Sequence, residues 1–156
     1  WFCVSILKET KPFEFPKPFE LKYCIKDFLD SPLDETSWYN EKYLHNLHWY
    51  EKRDYPQGSL MKVGNCFKSD YATGNIYDAN GIICTIMENH GTGTLISIDG
   101  RIKKATASEQ LRFMGVSEDD IQKIQSVCKR SACRKLAGNS IVVDVLYYIF
   151  KSMFID

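Results

Sequence analysis

Two almost uninterrupted apolar runs lie at opposite ends of this 156-residue chain and restrict how it can fold. Residues 1–7 are mostly aromatic and aliphatic, which is typical of a strand with both faces covered, as in the sheet of an α/β protein. Residues 141–150 are apolar nearly all round, so we expect a helix that is buried on several sides. Both ends of the chain therefore need a core to pack against.

The balance of charge limits the kinds of function that suit this chain. Lys+Arg and Asp+Glu number 20 each, whereas a free-standing nucleic-acid-binding protein normally carries a basic excess. Any DNA contact must therefore use local basic patches or rely on the charge of a partner. Two such patches lie within residues 101–112 and 129–135, although a plain solvated surface is the default interpretation of each.

The cysteines and histidines predict neither disulfides nor a metal site. The six cysteines form no Cys-x-x-Cys pair, so we expect free thiols in a reducing cytosol. His45-x-x-His48 and Cys128-x4-Cys133 do not supply the two close ligand pairs that structural zinc usually needs. No apolar run approaches ~18 residues, and no charged region precedes the apolar start, so neither a membrane span nor a signal peptide is expected. Because the first residue is not Met, we expect the chain to be cut from something longer.

The first two thirds of the chain predict short, irregular elements. Three prolines within residues 12–18 predict an extended connector, and apolar spacing predicts helices within residues 21–29 and 34–55. Most glycines lie between Gly58 and Gly100 among β-forming residues, which predicts a small, irregular β-rich module with long loops. The predicted strands are residues 61–63, 75–77, 82–86 and 94–98, the last being followed by an Asp99-Gly100 hairpin turn.

Three helices are predicted after this module. Thr106 and Glu109 match a capping box, in which a hydroxyl and a carboxylate each accept a backbone N–H, and this helix should run to about Met114. A second helix is predicted over residues 117–129, with its apolar residues on one face. The last helix is predicted to begin at the Gly138-Asn139-Ser140 step, directly before the apolar run.

That step allows two interpretations. Free backbone N–H groups at a helix start can receive a carboxylate or a hydroxyl-rich ligand; alternatively, Asn139 or Ser140 caps the helix and has no further role. Residues 137–145 closely resemble the tenth conserved motif of DNA (cytosine-5) methyltransferases, in which Gly-Asn-Ser starts a helix that lines the S-adenosylmethionine pocket. The resemblance implies that Asn139, Ser140 and Ile141 bind this cofactor.

Three more segments resemble the same family. Residues 103–115 are similar to its ninth motif, Arg-Lys-Leu-Thr-x-x-Glu followed by Arg-(Leu/Val)-(Gln/Met)-Gly. Residues 74–86 resemble its recognition region more weakly, with Thr85-Ile86 in place of a Thr-Leu pair and a Gly-rich loop at residues 89–93. Residues 1–7 resemble the strand after the eighth motif, so that the resemblance leaves residues 20–57 unassigned.

The sequence departs from the family pattern in specific places. Lys103 stands where the ninth motif usually opens with Arg, Val116-Ser117 stands where a Pro is frequent, and Arg134 and Leu136 replace a frequent Tyr and Gln. The Phe-x-Gly-x-Gly cofactor loop, the Pro-Cys nucleophile and the Glu-Asn-Val motif are missing. Because a thiolate must attack C6 of cytosine, we expect no catalytic residue in this chain and no methylation by the chain alone.

The resemblance implies an α/β fold. It would be the C-terminal piece of a Rossmann-like S-adenosylmethionine-dependent methyltransferase, with a small, irregular β-rich target-recognition domain. Residues 1–20 would be the last strand of the catalytic domain and a connector, and residues 21–57 a partly helical linker region. Residues 58–128 would form the target-recognition domain with the ninth motif, and residues 129–156 the tenth-motif segment and a helix that returns to the catalytic domain.

The function implied is recognition of a DNA sequence and completion of the cofactor pocket, for transfer of a methyl group to C5 of a flipped-out cytosine. The partners would be double-stranded DNA and an N-terminal catalytic part, upstream or in a separate subunit, in prokaryotic or phage cytoplasm. Loops at residues 68–75 and 89–94 would read base edges. The expected DNA-binding residues are Tyr71, Thr73, Asn75, Thr85, Asn89, His90, Arg101, Lys103 and Lys104. The alternative is a non-catalytic DNA-binding or interaction module, or an inactive remnant.

Overall fold

The chain forms a mixed α/β fold around one five-stranded sheet. The structure, a computed structural model, describes residues 3–5, 13–40, 42, 44–87 and 93–154. The strands are β1 (His48–Trp49), β2 (Lys62–Asn65), β3 (Asn75–Asp78), β4 (Leu95–Ile98) and β5 (Arg101–Lys104). The helices are α1 (Ala107–Phe113), α2 (Glu118–Val127), α3 (Arg130–Asn139) and α4 (Val143–Phe154). Short 3₁₀ helices lie at Ile25–Phe28, Glu35–Ser37 and Ala72–Gly74.

The sheet follows chain order and contains one parallel pair. Neighbouring strands are antiparallel except β3 and β4, which pair in parallel with Ile76 opposite Leu95. A parallel pair needs a long connection, and residues 79–94 supply it. The β4–β5 connection is a tight hairpin in which Asp99 has φ 49° and Gly100 has φ 80°. Two successive positive φ values are what a two-residue hairpin turn of this hand requires, so the predicted turn is confirmed.

Alternation along the strands divides the apolar residues between the two sheet faces. Tyr77 and Ile96 contribute to the larger core, which also contains Leu111 of α1 and Cys133 of α3. On the opposite face, Ile76, Leu95, Ile102 and Cys66 form a smaller cluster. Segment 38–47 covers this second cluster in part, through Tyr39, Leu44 and Leu47.

A buried polar network joins β5, α1 and the segment that precedes the sheet. Lys103 and Glu109 are both fully buried, and the Lys103 ammonium donates to Glu109 Oε1. The same carboxylate accepts the backbone N–H of Asp30 at 2.9 Å through Oε1 and that of Thr106 at 2.8 Å through Oε2. Arg112 adds a second tie, because its Nη1 lies 2.7 Å from Asp30 Oδ1. One carboxylate therefore fixes three parts of the chain.

Several predicted elements are confirmed. Thr106 is the N-cap of α1, and the capping box with Glu109 is complete. Helix α2 lies within the predicted 117–129 span and is capped by the Ser117 side chain, which accepts the N–H of Asp120. Three of the four predicted strands are present as β2, β3 and β4, each shifted by no more than two residues at an end.

Other predicted elements are wrong or lie outside the described residues. Residues 34–55 do not form the predicted helix. Apart from the short 3₁₀ helix Glu35–Ser37, the described residues of this segment run mostly as an irregular cover over the sheet that leads through β1. Residues 82–86 form no strand in the β3–β4 connection, and within residues 21–29 only Ile25–Phe28 is helical. Of the predicted strand 1–7, Cys3–Ser5 has no strand pairing, and the remaining residues lie outside the described part.

The expected start of the last helix is also wrong. Asn139 is the final residue of α3 and Ser140 is its C-cap, with extended backbone. The Ser140 hydroxyl donates to the Ala137 carbonyl at 3.0 Å and so satisfies a carbonyl at the end of α3. Helix α4 begins only at Val143, whose N–H donates to Met114 O at 2.9 Å. Burial of Cys133 and Ala137 against α1 explains why helix forms before the Gly-Asn-Ser step.

Helix α4 is mostly exposed, contrary to the expectation that it is buried on several sides. Only Ile149 is buried, whereas Tyr147, Phe150 and Phe154 are 53%, 51% and 75% exposed. The connector touches one side of the helix, where the rings of Phe19 and Tyr148 are 4.9 Å apart. In the part of the chain that the structure describes, no helix is long and apolar enough to cross a membrane.

The buried pair generates a stability prediction. We expect Lys103→Met to lower the free energy of unfolding by about 3–5 kcal/mol, because it leaves the Glu109 carboxylate buried without its counter-charge. Adding Glu109→Gln should recover part of this loss, because no uncompensated charge is then buried. Chemical unfolding followed by circular dichroism measures both. The exposed Lys123→Met is the charge-matched control and should change little; equal stability of Lys103→Met and Lys123→Met would refute the structural role.

Candidate nucleic-acid interface

A small depression brings together residues from three separate parts of the sequence. Thr73 and Asn75 come from the loop that leads into β3, and Thr85 comes from the β3–β4 connection. Gly93 and Thr94, at the end of that connection, complete the rim. Three of the residues predicted to bind DNA are therefore neighbours, although ten residues separate Asn75 from Thr85 in the chain.

Asn65 holds the first predicted reading loop, residues 68–75, in shape. Its side chain is fully buried, and its Nδ2 donates to Tyr71 O and to Asn75 Oδ1, both at 2.9 Å. Its Oδ1 accepts the backbone N–H of Phe67 at 2.7 Å. The loop is closed further by Cys66 N–H, which donates to Gly74 O at 2.9 Å. A buried amide that satisfies both ends of a loop preorganises it.

Two residues of the β1 region anchor the tip of the same loop. His48 Nε2 lies 2.9 Å from Asp70 Oδ1, and the Tyr50 hydroxyl donates to the same oxygen. Asp70 has φ 52°, a left-handed conformation that fixes the turn. The Asn46 carbonyl, and then Asp70, raise the pKa of His48; Tyr50, and then His48, lower the pKa of Asp70. No sequence motif marks this anchor, because its members are about 20 residues apart.

The floor of the depression is uncharged at neutral pH. Burial is the main cause that raises the pKa of Tyr77 to about 12, and burial also raises the pKa of the Cys84 thiol. Asn75 Nδ2 donates to the Tyr77 hydroxyl at 3.2 Å. The depression therefore offers hydroxyl, amide and thiol groups but no charge, which suits recognition of base edges by hydrogen bonds better than binding of an anion.

The exposed rim carries larger side chains. Tyr71 is 66% exposed and its ring lies 6.4 Å from that of Phe67, and Met87 is 45% exposed. Thr85 is also exposed. Asn89 and His90, predicted to contact DNA from the second loop, lie outside the described residues.

The predicted basic residues do not gather at this depression. Arg101 is exposed in the β4–β5 hairpin, and its guanidinium lies 4.0 Å from the centroid of the Trp38 ring. Lys104 lines a different cleft. Lys103 is fully buried against Glu109, so the expectation that it contacts DNA is replaced by a structural role. Successive side chains of a strand point to opposite faces, which is why two adjacent lysines have different environments.

The residues predicted to bind the cofactor lie together at the junction of α3 and α4. Asn139 is exposed at the end of α3, and among the described residues its side chain forms no hydrogen bond. Ile141, between the helices, is 51% exposed. No group of three or more metal-ligating side chains clusters in the described residues.

Comparison with known proteins decides the family. A model of the C-5 cytosine-specific DNA methylase family matches residues 1–155. The chain belongs to this family. The type II methyltransferase M2.ScrFI of Lactococcus lactis subsp. cremoris is 28% identical over 155 residues, which cover 98% of this chain and 39% of that protein. The type II methyltransferase M.HhaI of Haemophilus parahaemolyticus is 30% identical over 144 residues, which cover 88% of this chain and 41% of that protein.

Membership in the C-5 cytosine-specific DNA methylase family confirms the resemblance seen in residues 103–115 and 137–145 at the level of the family. The chain spans 39% and 41% of the length of these two relatives. The match along nearly the whole chain also includes residues 20–57, which the motif comparison left unassigned.

The loop anchor generates a pH prediction. Because the pKa of His48 is raised, protonated His48 stabilises the loop fully below the ordinary histidine pKa. This stabilisation is lost as pH rises through the raised pKa. The lowered pKa of Asp70 has the opposite sign, so its contribution is present above the ordinary aspartate pKa and is lost as pH falls through the lowered value. We expect the loop to be held most firmly between these limits, in mildly acidic solution.

NMR titration of the His48 imidazole tests this expectation. Asp70→Asn should move the His48 pKa down toward the ordinary histidine value, while Asp119→Asn, an equal charge change on exposed α2, should leave it in place. Broadening of the loop signals of residues 68–75 should accompany loss of the ion pair. An identical His48 titration in the protein and in Asp70→Asn would contradict the anchor.

Proposed function

We propose that this chain reads a DNA sequence and completes the cofactor pocket of a DNA (cytosine-5) methyltransferase. The enzyme would transfer a methyl group from S-adenosylmethionine to C5 of a flipped-out cytosine, and the attacking cysteine would lie outside the chain. The observation that carries this proposal is the depression in which Thr73 and Asn75 of a preorganised loop meet Thr85 of the β3–β4 connection, in a member of the C-5 cytosine-specific DNA methylase family.

The uncharged depression supports a role in base recognition. Hydroxyl and amide side chains can donate to and accept from base edges in the major groove, and exposed loop backbone can approach closely. Among the exposed predicted residues, Arg101 carries positive charge away from the depression, where a phosphate contact would position the duplex without reading it. Tyr71, Asn89 and His90 remain proposed DNA contacts of the two loops, and Thr85 a proposed backbone contact near the flipped nucleotide.

The exposed apolar surface supports assembly with a catalytic part. The connector and α4 touch through the rings of Phe19 and Tyr148, and both expose aromatic side chains. These are Phe15, Phe19, Tyr23, Tyr147, Phe150 and Phe154, which are between 51% and 75% exposed. Covering apolar area stabilises by roughly 25 cal/mol per Å², and contiguous apolar patches on soluble proteins usually mark an interface. We propose that a Rossmann-like catalytic part, in the same chain or in a second subunit, packs here.

The proposed division of roles does not require separate folding units. Ile25 of the proposed linker and Cys133 of the proposed tenth-motif segment share one core with Tyr77 of the proposed recognition domain. We propose that residues 58–128 carry recognition and that residues 129–156 lead back to the catalytic part. The core shared by the three segments would then hold the recognition loops in a fixed orientation to the reacting base.

Asn139, Ser140 and Ile141 are proposed to form one edge of the cofactor pocket. Ser140 Oγ already donates within α3, so Asn139 is the group with unused hydrogen-bonding capacity. When bound, S-adenosylmethionine supplies the methyl group; these residues would hold its polar portion and exclude water from one side. The exposed position of Ile141 suits contact with a planar apolar portion.

The assembly proposal is tested with the cofactor. In protein assembled with the catalytic part, Asn139→Ala should weaken S-adenosylmethionine binding about tenfold, and should scarcely change thermal stability because its side chain has no bond within the described chain. A tenfold change corresponds to about 1.4 kcal/mol, which is typical of one hydrogen bond. Calorimetric titration measures the affinity, and Gln122→Ala, an exposed amide on α2, is the matched control. Equal affinity in the Asn139→Ala and Gln122→Ala proteins would remove Asn139 from the pocket.

The recognition proposal is tested by comparing sequence preference with overall DNA affinity. Loss of a base contact should change the preference, whereas loss of a phosphate contact should lower the affinity for all sequences. In the assembled protein, Thr73→Ala should alter which duplexes are selected from a randomised library. Arg101→Ala should weaken all duplexes alike and reduce the slope of log affinity against log salt by about one. Ser126→Ala, on remote α2, should do neither. If Thr73→Ala kept the library preference while Arg101→Ala changed it, the reading surface would be misplaced. If no duplex were preferred by the unchanged protein, the alternative of an inactive remnant would hold.

A further inference from the structure

A cleft distinct from the depression lies beside Lys104, between segment 34–40 and the first half of α3. Its volume is about 250 Å³. Lys104, Arg130 and Arg134 line it together with one carboxylate, that of Asp34. The Asp34 carboxylate is held by Thr36 and lies 3.3 Å from an Arg130 nitrogen. The lining therefore has an excess of positive charge, unlike the uncharged depression described above.

Two buried donors in this cleft have no acceptor. Trp38 Nε1 and Arg134 Nε are buried atoms, and neither forms a hydrogen bond within the described structure. Both residues line the cleft. Buried N–H groups are nearly always satisfied in native proteins, and orphaned ones indicate a missing partner such as a ligand or an ion. An indole N–H and a guanidinium N–H at one cleft are suited to the same acceptor, an anionic oxygen.

The cleft brings like charges close together. Burial, and then neighbouring Arg130, lower the pKa of Arg134; burial, and then Arg134, lower the pKa of Lys104. Helix α3 begins at Arg130, and its N-cap residue Lys129 provides no side-chain hydrogen bond. The positive end of the helix therefore adds to the three cations rather than being neutralised.

We propose that this cleft binds a phosphate group, with Trp38 and Arg134 as the buried donors and Lys104 and Arg130 as the surrounding charge. This assignment rests on the proposed function: the phosphate would belong to the backbone of the DNA duplex that the loops read. The Lys104 side chain fills the space beside Gly93, where a Cβ would collide with it, so the cleft borders the rim of the depression.

Inorganic phosphate is the first probe, added to the assembled, ¹⁵N-labelled protein. We expect the Trp38 indole N–H signal, assigned with Trp38→Phe, to shift saturably. Arg134→Gln should weaken phosphate binding at least tenfold, whereas Lys135→Gln, the next residue on exposed α3 surface and outside the cleft lining, should not. Trp38→Phe removes the indole N–H together with the five-membered ring but keeps an aromatic face for Arg101. Calorimetry should find weaker phosphate binding by this variant, and its thermal unfolding shows that it is folded. No shift of the Trp38 signal, with correctly folded Arg134→Gln and Trp38→Phe proteins, overturns the site.

Duplex DNA is the second probe and separates the two sources of phosphate. If the phosphate is part of a DNA backbone, Arg134→Gln should reduce the salt slope of duplex binding by about one and leave sequence preference unchanged. An unchanged slope beside an Arg134-dependent response to inorganic phosphate overturns the assignment to DNA and leaves a site for a free phosphate ligand. Sequence-selective binding with neither response overturns the cleft but keeps the proposed function. A phosphate response in a protein that selects no duplex supports the cleft and rejects the proposed function.

Discussion

The buried pair between Lys103 and Glu109 is the interaction on which the rest of the structure depends. Its carboxylate caps α1, accepts a backbone N–H from the segment at Asp30, and neutralises a lysine that the alternation of β5 points into the protein. Two charges inside a core are tolerated only when each is paired and hydrogen-bonded. The sheet, the first helix of the C-terminal half and the segment before the sheet must therefore come together as one cooperative arrangement, which gives the loops a rigid support.

In the proposed function, a chain without net charge would present a DNA-reading surface on this support. The uncharged depression lies at the N-terminal ends of the inner strands β3 and β4, next to loop 68–75, which Asn65 and the His48–Asp70 contact preorganise. Positive charge lies in the hairpin and around the cleft at α3, which borders the rim of the depression at Lys104. Groups that discriminate among bases and groups that hold phosphates have different requirements, because the former need neutral donors and acceptors and the latter need cations. The sheet and α3 keep the two sets close but separate.

Helix α4, in contrast, leaves most of its aromatic side chains exposed. The chain completes a core around its sheet, yet the apolar C-terminal helix contributes mainly Ile149 to burial. A helix with so much apolar surface is stable when another surface covers it. The chain spans 39% of one curated relative and 41% of another, and the proposed catalytic part would supply a surface that covers this helix.

The sequence by itself determined the features that depend on neighbouring residues. The capping box of Thr106 and Glu109, the Asp99-Gly100 hairpin, helix α2 and three strands follow from local hydrogen bonding and backbone preference, and two linked motifs indicated the family. Residues 34–55 had helical spacing and still became an irregular cover, because tertiary contact with the sheet outweighs a weak local preference. Likewise the Gly-Asn-Ser step ends α3, since packing of Cys133 and Ala137 against α1 decides where helix forms.

Only the tertiary structure decided which charged and polar residues act together. Lys103 and Lys104 are adjacent in sequence, but the strand directs one into the core and the other to a cleft. His48 and Asp70, or Trp38 and Arg134, carry no common motif, because their proximity arises from chain reversals and not from spacing. A local pattern can predict a cap or a turn, whose partners are a few residues apart. It cannot predict contacts whose partners are joined only when the sheet and helices pack.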